Sequence, residues 1–320
     1  MNPAFIRNKK IVVASLNWGL GHVTRSVAII KKLEAENEVI IAASEKQQAF
    51  FKSYFPELKY VDLKPYHFKF EGKGKWIKDL LRSRKDFVQT IDEEKKQLAH
   101  ICDELEPDLI ISDHRYGFFH PEIKSVFVTH QLQLPISKLL FWVQQWHERQ
   151  LKNFDELWVL DNPIDSLAGR LSSKIDHPKI FYIGWQSRLD DQCNSQGQEL
   201  PDYEYLIVVS GPDPYAQQFL DQMCRDFAAH GSKVALLYPP HLEIPKSDFD
   251  CFPNNDPITN DLLFARTNTV ISRAGYSTLM DLKKTGNKGI LFPTKGQYEQ
   301  LYLAQHLQAD DQFEFRNPTT

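Results

Sequence analysis

The sequence predicts an α/β protein built from two doubly wound parallel-sheet domains that face a central cleft. Its 320 residues are about twice the length of an ordinary domain. Short, continuous apolar runs are typical of strands that helices cover on both faces, and apolar residues recur at helical spacing between several of these runs. Ligands of such folds bind beyond the carboxyl ends of the strands, so function is expected in the strand-to-helix loops.

The first domain, predicted over residues 1–188, begins with a strand, a glycine loop and a helix. The β-branched run at 11–16 leads into the loop 17–21, after which Val23, Val27 and Ile30 recur at helical spacing. Further buried strands are predicted at 39–43, 109–111, 125–128 and 156–160. A loop at 72–75 and a solvated helix over 78–96 interrupt this series.

The second domain is predicted over residues 189–320, after an exposed polar linker at 190–201. Its strands are predicted at 205–209, 233–237, 269–272 and 289–292. Its helices are predicted near 214–229, 259–266, 276–285 and 297–307. Strands that alternate with helices in this way are typical of a parallel sheet.

Composition argues against several classes of protein. A net charge of −4 without a basic block disfavours a nucleic-acid partner. The four cysteines lie far apart with no C-x-x-C pair, which argues against a disulfide framework or a thiolate zinc site. We find neither signal-peptide features nor an apolar stretch near the roughly 20 residues that span a bilayer. A cytoplasmic protein is therefore expected.

The first loop places His22 at the start of a helix. Gly19 and Gly21 permit a tight turn, and the backbone N–H groups at a helix start attract anions. Thr24 stands where a dinucleotide fingerprint needs its third glycine, so that motif is not matched. The positive end of the helix dipole disfavours an imidazolium, which makes His22 a candidate general base. The alternative is that His22 caps the helix.

Three loops of the second domain offer polar groups to an anionic, polyhydroxylated ligand. Backbone N–H groups after the first strand could hold a phosphate, and a helix carboxylate beyond residue 275 could accept hydrogen bonds from ribose hydroxyls. A solvated helix carboxylate is the alternative for the latter. The candidate residues are Ser210, Gly211, Arg273, Gly275, Tyr276, Ser277, Asp281, Glu299 and Gln300.

Two further candidates follow a strand of the first domain. His130 and Gln131 belong to the same cleft by topology, although a core histidine satisfied by backbone groups is the alternative. His114 is a similar but weaker case. Motifs for a phosphate-binding P-loop, a zinc protease and a serine hydrolase are missing from the sequence.

Taken together, these loops resemble the GT-B glycosyltransferases, and glycosyltransferase family 28 in particular. The resemblance spans most of the chain and is carried by Gly19-Leu20-Gly21-His22 near the start, and by residues 271–275 and 299–300 near the end. It implies two Rossmann-like domains and an inverting transfer without metal or cofactor. The implied donor is a UDP-linked N-acetylhexosamine or hexose, and the acceptor a glycan or lipid-linked molecule of cell envelope polysaccharide synthesis.

The resemblance also implies roles for individual residues. His22 would be the base or would orient the acceptor, with Gly19, Gly21, Arg25, His130 and Gln131 forming the acceptor or phosphate loop. Arg188, which ends a hinge-like segment, would bind the diphosphate together with Ser210 and Gly211. Asp281 would bind the ribose, and Glu299 and Gln300 the donor sugar. The chain departs from the family at Pro212 and Pro214, which replace glycines, at Asp281, which is one methylene shorter, and at Leu303.

Two alternatives stay open. The pattern Gly-x-Gly-His-x-x-Arg, which ends at Arg25, also resembles the UDP-sugar hydrolase of pseudaminic acid synthesis, in which water attacks the donor. A non-catalytic nucleotide-sugar-binding protein would keep the loops of the second domain but would not need His22.

An apolar stripe in the first domain fits either peripheral contact with the inner face of the cytoplasmic membrane or a helix that faces the core. In the membrane interpretation, lipid binding is expected to depend on Trp142 and Trp146. The stripe consists of Ile136, Leu139, Leu140, Val143 and Trp146, followed by Arg149 and Lys152.

Overall fold

The computed structural model describes residues 2–17, 20–66, 84–137, 140–189, 202–227 and 231–317, which form two compact units. The described residues of the first unit are 2–17, 22–66, 84–137 and 140–186. Those of the second are 20–21, 187–189, 202–227 and 231–317. Gly19, the loop at 72–75 and the linker at 190–201 lie outside the described residues.

The described residues of the first unit contain a seven-stranded parallel sheet in the order β3-β2-β1-β4-β5-β6-β7. Its strands are β1 Lys10–Ser15, β2 Glu38–Ala43, β3 Lys59–Asp62, β4 Leu109–Asp113, β5 Ser125–Thr129, β6 Glu156–Val159 and β7 Ile180–Tyr182. The helices are α1 Leu20–Glu34, α2 Glu45–Lys52, α3 Arg84–Leu105 and α4 Phe141–Leu151, and short 3₁₀ turns occur at Pro3–Phe5 and Gly169–Ser172.

The central strands of this sheet are apolar because helices and loops cover both faces. Val12, Ile40 and Ile110 pack against α3 on one face, and Phe127 and Leu157 belong to a second apolar cluster. The register aligns the ends of neighbouring strands, since Ser15 of β1 lies opposite Asp113 of β4, and Asp113 lies opposite Val128 of β5. The chain segments that leave β1, β4 and β5 therefore start side by side.

The second unit contains, within its described part, a six-stranded parallel sheet in the order β10-β9-β8-β11-β12-β13. Its strands are β8 Tyr203–Val208, β9 Val234–Tyr238, β10 Asp250–Pro253, β11 Thr267–Arg273, β12 Lys288–Phe292 and β13 Phe313–Phe315. Its helices are α5 Tyr215–Phe227, α6 Pro257–Ala265, α7 Tyr276–Thr285 and α8 Tyr298–His306.

Local sequence explains where the helices of the second unit begin and end. The carboxylate of Asp256 accepts hydrogen bonds from the backbone N–H groups of Ile258 and Thr259, and Pro257 occupies the first turn of α6. Gly286 ends α7 in the left-handed conformation, with a φ of 78°. The two parallel sheets and their helices confirm the predicted doubly wound fold class.

The predicted apolar stripe does not form one helix face. Ile136 precedes α4, and Trp146 packs inward against Tyr116 and Phe87, with ring centroids 5.2 and 5.8 Å apart. Leu139 lies outside the described residues. Trp146 therefore fits the core-facing alternative, whereas Trp142 is 49% exposed. Among the described helices, none is long and apolar enough to cross a membrane.

Candidate active site

The carboxyl ends of β1, β4 and β5 bring five polar side chains together in the first unit. His22 and Arg25 belong to the start of α1, which follows β1. Asp113 ends β4 and His114 follows it, while His130 comes directly after β5. Hydrogen bonds and ring contacts connect all five side chains, which we call the histidine cluster.

Asp113 is the anionic centre of the histidine cluster. Its carboxylate is 1% exposed and accepts two hydrogen bonds from Arg25, from Nε to Oδ2 at 2.8 Å and from Nη2 to Oδ1. Burial is the largest single effect and opposes ionisation, but the charges of Arg25 and His22 and the hydrogen bonds from both together outweigh it and hold the pKa of Asp113 well below its usual range. The pair is therefore a carboxylate held by a guanidinium fork.

His22 retains partial access to solvent, with 15% of its side chain exposed. Its Nδ1 lies 3.2 Å from Oδ1 of Asp113 and 2.7 Å from Nη2 of Arg25. Burial and the charge of Arg25 lower the pKa of His22, and the charge of Asp113 offsets this in part. The imidazole is thus neutral near pH 7 and can take up a proton.

The other two histidines fix the surroundings of His22. The His114 ring meets the His22 ring edge-on, with centroids 5.4 Å apart, and its Nε2 lies 2.6 Å from Oγ1 of Thr129. Burial lowers the pKa of His114 well below its ordinary value. Nδ1 of His130 lies 3.1 Å from Nη1 of Arg25, so His130 takes part in the polar network of the cluster.

Helix α4 holds the segment that follows His130. His147 is buried between the carbonyl of Gln131, 3.0 Å from its Nε2, and the hydroxyl of Tyr116, 2.8 Å from its Nδ1. Burial lowers the pKa of His147 to about 4. The amide of Gln144 donates to the carbonyl of Leu132 at 3.0 Å. These bonds fix the backbone beside the histidine cluster.

A second buried ion pair in the same unit fixes the loop after β4. Glu94 accepts hydrogen bonds from Nε of Arg115, from the Tyr66 hydroxyl at 2.6 Å and from the backbone N–H of Gly117 at 2.9 Å. Arg115 also donates to the carbonyl of Lys64 at 2.8 Å. Arg115 and Glu94 are each 1% exposed, so this network resembles that of Arg25 and Asp113 in burial.

In the second unit, the structure pairs two predicted ligand-binding residues with each other. Arg188 donates from Nη1 to Oδ2 of Asp281 at 3.4 Å, and from Nε to Oδ1 of Asp261 at 2.7 Å. The Ser187 hydroxyl donates to Oδ1 of Asp281 at 2.5 Å. A diphosphate at Arg188 or a ribose at Asp281 would therefore have to compete with this buried network.

The remaining predicted donor-binding residues of the second unit lie after the carboxyl ends of its strands. Gly211, between β8 and α5, is exposed and has a φ of 103°, a conformation that favours glycine. Gly275 caps α7, and Tyr276 and Ser277 form its first turn. Gln300, beside Glu299 in α8, accepts from the backbone N–H of Thr294 at 2.8 Å, which ties α8 to the loop after β12.

Arg273 ends β11 and is buried. Its guanidinium carbon lies 4.5 Å from the ring centroid of Phe219, and its Nη2 donates to the carbonyl of Tyr215 at 3.2 Å. Burial lowers its pKa to about 10. These contacts direct Arg273 toward the start of α5, beyond the loop that contains Ser210.

Sequence reasoning gave no role to Asp113, the residue that links the cluster. The signal was present, because Asp113 is the only charged residue in the buried strand Leu109–Asp113 and stands at its carboxyl end. Because the carboxyl ends of parallel strands meet at the same edge of a sheet, a charged residue at that position is expected to lie near the loop that contains His22. Among the described residues, no group of three His, Cys, Asp or Glu side chains is arranged to hold a metal ion.

Comparisons with known proteins identify the fold. No family model and no curated protein matches the chain. The kitacinnamycin glycosyltransferase structure has a TM-score of 0.67 at 14% identity, over 98% of this chain and 88% of that one. Spinosyn rhamnosyltransferase complexed with thymidine diphosphate has a TM-score of 0.62 at 15% identity, over 97% and 86%. Arabidopsis thaliana UGT89C1 complexed with UDP-L-rhamnose has a TM-score of 0.59 at 14% identity, over 97% and 86%. The chain has the GT-B fold of two Rossmann-like units.

Proposed function

We propose that this protein is a glycosyltransferase that moves a sugar from a nucleoside-diphosphate sugar to a hydroxyl group of an acceptor, with His22 as general base. The observation that carries the proposal is the neutral, partly exposed imidazole of His22 beside the buried carboxylate of Asp113. The fold supports it, since similar structures have been solved with thymidine diphosphate and UDP-L-rhamnose.

In the proposed reaction, the acceptor oxygen attacks the anomeric carbon of the sugar while the bond from that carbon to the diphosphate breaks. Configuration at the anomeric carbon is inverted, and the nucleoside diphosphate leaves with the bonding electrons. The acceptor's proton passes to Nε2 of His22, and Asp113 stabilises the resulting imidazolium through the proton on Nδ1. General base catalysis of this kind contributes roughly 100- to 10,000-fold in rate.

We assign donor binding to the strand-to-helix loops of the second unit. Ser210, Gly211 and Arg188 would meet the diphosphate, Asp281 the ribose, and Glu299 and Gln300 the sugar, with Arg273, Gly275, Tyr276 and Ser277 completing the loop before α7. For Arg188 and Asp281 this requires the ligand to replace their mutual hydrogen bond. Backbone N–H groups at the starts of α5 and α7 would stabilise the negative charge on the departing diphosphate.

The finer parts of the proposal come from the resemblance to family 28. They are a UDP-linked N-acetylhexosamine or hexose as donor, a glycan or lipid-linked acceptor of the cell envelope, and catalysis without metal. For a lipid-linked acceptor, Phe141 and Trp142 at the start of α4 offer exposed apolar side chains. Supporting evidence would be transfer that persists in EDTA and is selective for UDP-sugars.

One observation favours hydrolysis as a second candidate. Arg25, the final residue of the pattern shared with the UDP-sugar hydrolase, binds Asp113 in the histidine cluster. In a hydrolase, water would take the place of the acceptor hydroxyl, and His22 would take up a proton from that water.

A nucleotide-release assay tests both candidates. The purified protein is incubated with UDP-, GDP- and dTDP-sugars, first alone and then with a cell extract as a source of acceptors, beside His22→Gln. His100→Gln is the matched control, because this histidine is exposed on α3. Release that needs both the extract and His22 supports transfer, and acceptor-free release that needs His22 supports hydrolysis. Release that is unaffected by His22→Gln would contradict both.

A further inference from the structure

We propose that Arg25 selects the tautomer of His22: it donates to Nδ1, so that the ring proton of the unliganded protein resides on Nε2. Arg25 would then control which ring nitrogen of His22 is available for the proposed proton transfer. The consequence for catalysis rests on the proposed function, whereas the tautomer itself follows from contacts within the first unit.

The argument begins with the three atoms that meet at His22. Nη2 of Arg25 lies 2.7 Å from Nδ1 of His22 and also donates to Oδ1 of Asp113, while Nδ1 lies 3.2 Å from that oxygen. A guanidinium nitrogen can donate but cannot accept a hydrogen bond. The 2.7 Å contact is therefore favourable only when Nδ1 has its lone pair, and the single proton of the neutral ring must then be on Nε2.

The rest of the cluster agrees with this assignment. Nη1 of Arg25 lies 3.1 Å from Nδ1 of His130, so the guanidinium of Arg25 contacts Nδ1 of both His130 and His22. Asp113 uses both oxygens for Arg25, and its contact with Nδ1 of His22 is the longer of the two that this nitrogen makes. The charge of the carboxylate is already balanced, which weakens its pull on a proton at Nδ1.

The charged and titratable groups that face His22 come from three elements. Arg25 lies on α1, Asp113 and His114 at the end of β4, and His130 after β5. Within the described residues, Arg25 and Asp113 are the two charged groups of this set that contact the ring. The positive charge of Arg25 disfavours an imidazolium, and the negative charge of Asp113 favours it.

The assignment has a consequence for the proposed reaction. With its proton on Nε2, His22 presents a hydrogen-bond donor to solvent or to a bound hydroxyl, and it cannot accept a proton there. To act as base, the ring must exchange its hydrogen bond with Arg25 for one in which Nδ1–H donates to Asp113. Arg25 thereby opposes the tautomer in which Nδ1 has the proton and Nε2 can accept one. Removal of Arg25 should favour that tautomer.

Nitrogen-15 NMR of histidine-labelled wild-type protein tests the tautomer without substrate. Nitrogens with and without a bound proton differ strongly in chemical shift, and the His22 signals are identified by their loss in His22→Gln. We expect a protonated Nε2 and an unprotonated Nδ1 near pH 7. A protonated Nδ1 in the wild-type protein would overturn the proposal.

Arg25→Gln provides the second test. We expect the His22 proton to move to Nδ1, where Asp113 accepts it, and the acidic limb of the kcat/KM profile for nucleotide release to shift to higher pH. Arg115→Gln is the matched control, because it breaks an equally buried ion pair that does not contact His22. An unchanged His22 tautomer in a folded Arg25→Gln protein, or the same pH shift in Arg115→Gln, would overturn the proposal.

The two readouts separate this proposal from the proposed function. If the His22 tautomers are as expected but no nucleotide is released from any nucleotide sugar, the proposed enzymatic function is contradicted and the proposed role of Arg25 is supported. Release that requires His22, together with a protonated Nδ1 in the wild-type protein, would do the reverse.

Discussion

Replacing Asp113 by Asn should destabilise the protein strongly, because it removes the anion that balances Arg25. Both side chains are almost completely buried, at 1% and 2% exposure, and the carboxylate accepts both hydrogen bonds of the guanidinium fork. Removing one partner of a buried pair typically costs about 3–5 kcal/mol. At roughly 2–4 °C per kcal/mol for a unit of this size, we expect Tm to fall by about 6–20 °C.

Thermal unfolding followed by circular dichroism measures this loss. Asp176→Asn is the matched control, since it removes an exposed carboxylate that lies 3.2 Å from Nζ of Lys152, and its Tm should stay at the wild-type value. The double variant Arg25→Gln/Asp113→Asn buries no net charge and should recover part of the loss. If Asp113→Asn melted at the same temperature as Asp176→Asn, the assignment of a buried ion pair would be refuted.

Three further predictions concern the first unit. Gly117→Ala would place a methyl carbon 2.8 Å from Oε2 of Glu94, so urea unfolding should show a loss of about 1–3 kcal/mol; an unchanged midpoint would contradict this packing. Because the folded pKa of His147 is about 4, below its ordinary 6.5, unfolding takes up a proton between these values and stability falls as pH drops through that window. His147→Gln should remove roughly 3 kcal/mol of this pH dependence in calorimetric scans from pH 7 to 4, and a slope equal to wild type would contradict the shift. Trp146→Ala should lower Tm because its ring packs against core aromatics, whereas Trp142→Ala should not; equal effects would contradict their different exposure.

The central strands of both sheets were predictable and the edge strands were not. Every predicted strand is present, because a strand covered on both faces needs a continuous apolar run, as in residues 39–43. Among the described strands, four were not revealed by the sequence, β3, β7, β10 and β13, and they occupy the edges of the two sheets. They are short and mostly half-buried or exposed, so neither their length nor their pattern separates them from loops.

The grouping of part of the histidine cluster at one sheet edge was predictable, but its hydrogen bonds were not. His22, Arg25 and His130 each follow a predicted strand, and the topology of a parallel sheet brings such loops together. Their hydrogen bonds depend on how far each strand extends, and the prediction ended β4 at Ile111, two residues before Asp113. The bond between Arg188 and Asp281 was equally hidden, because the two residues are 93 positions apart in the chain.

The register of β4 between β1 and β5 determines whether Asp113 can pair with Arg25. Successive residues of a strand point to opposite faces, so a slip of β4 by one position would turn Asp113 away from Arg25. The slipped sheet would bury a carboxylate and a guanidinium separately, which costs far more than a misplaced apolar side chain. The ion pair thus raises the free energy of the misaligned sheet relative to the native one. A chain that has folded with the wrong strand alignment also lacks the arrangement proposed for catalysis.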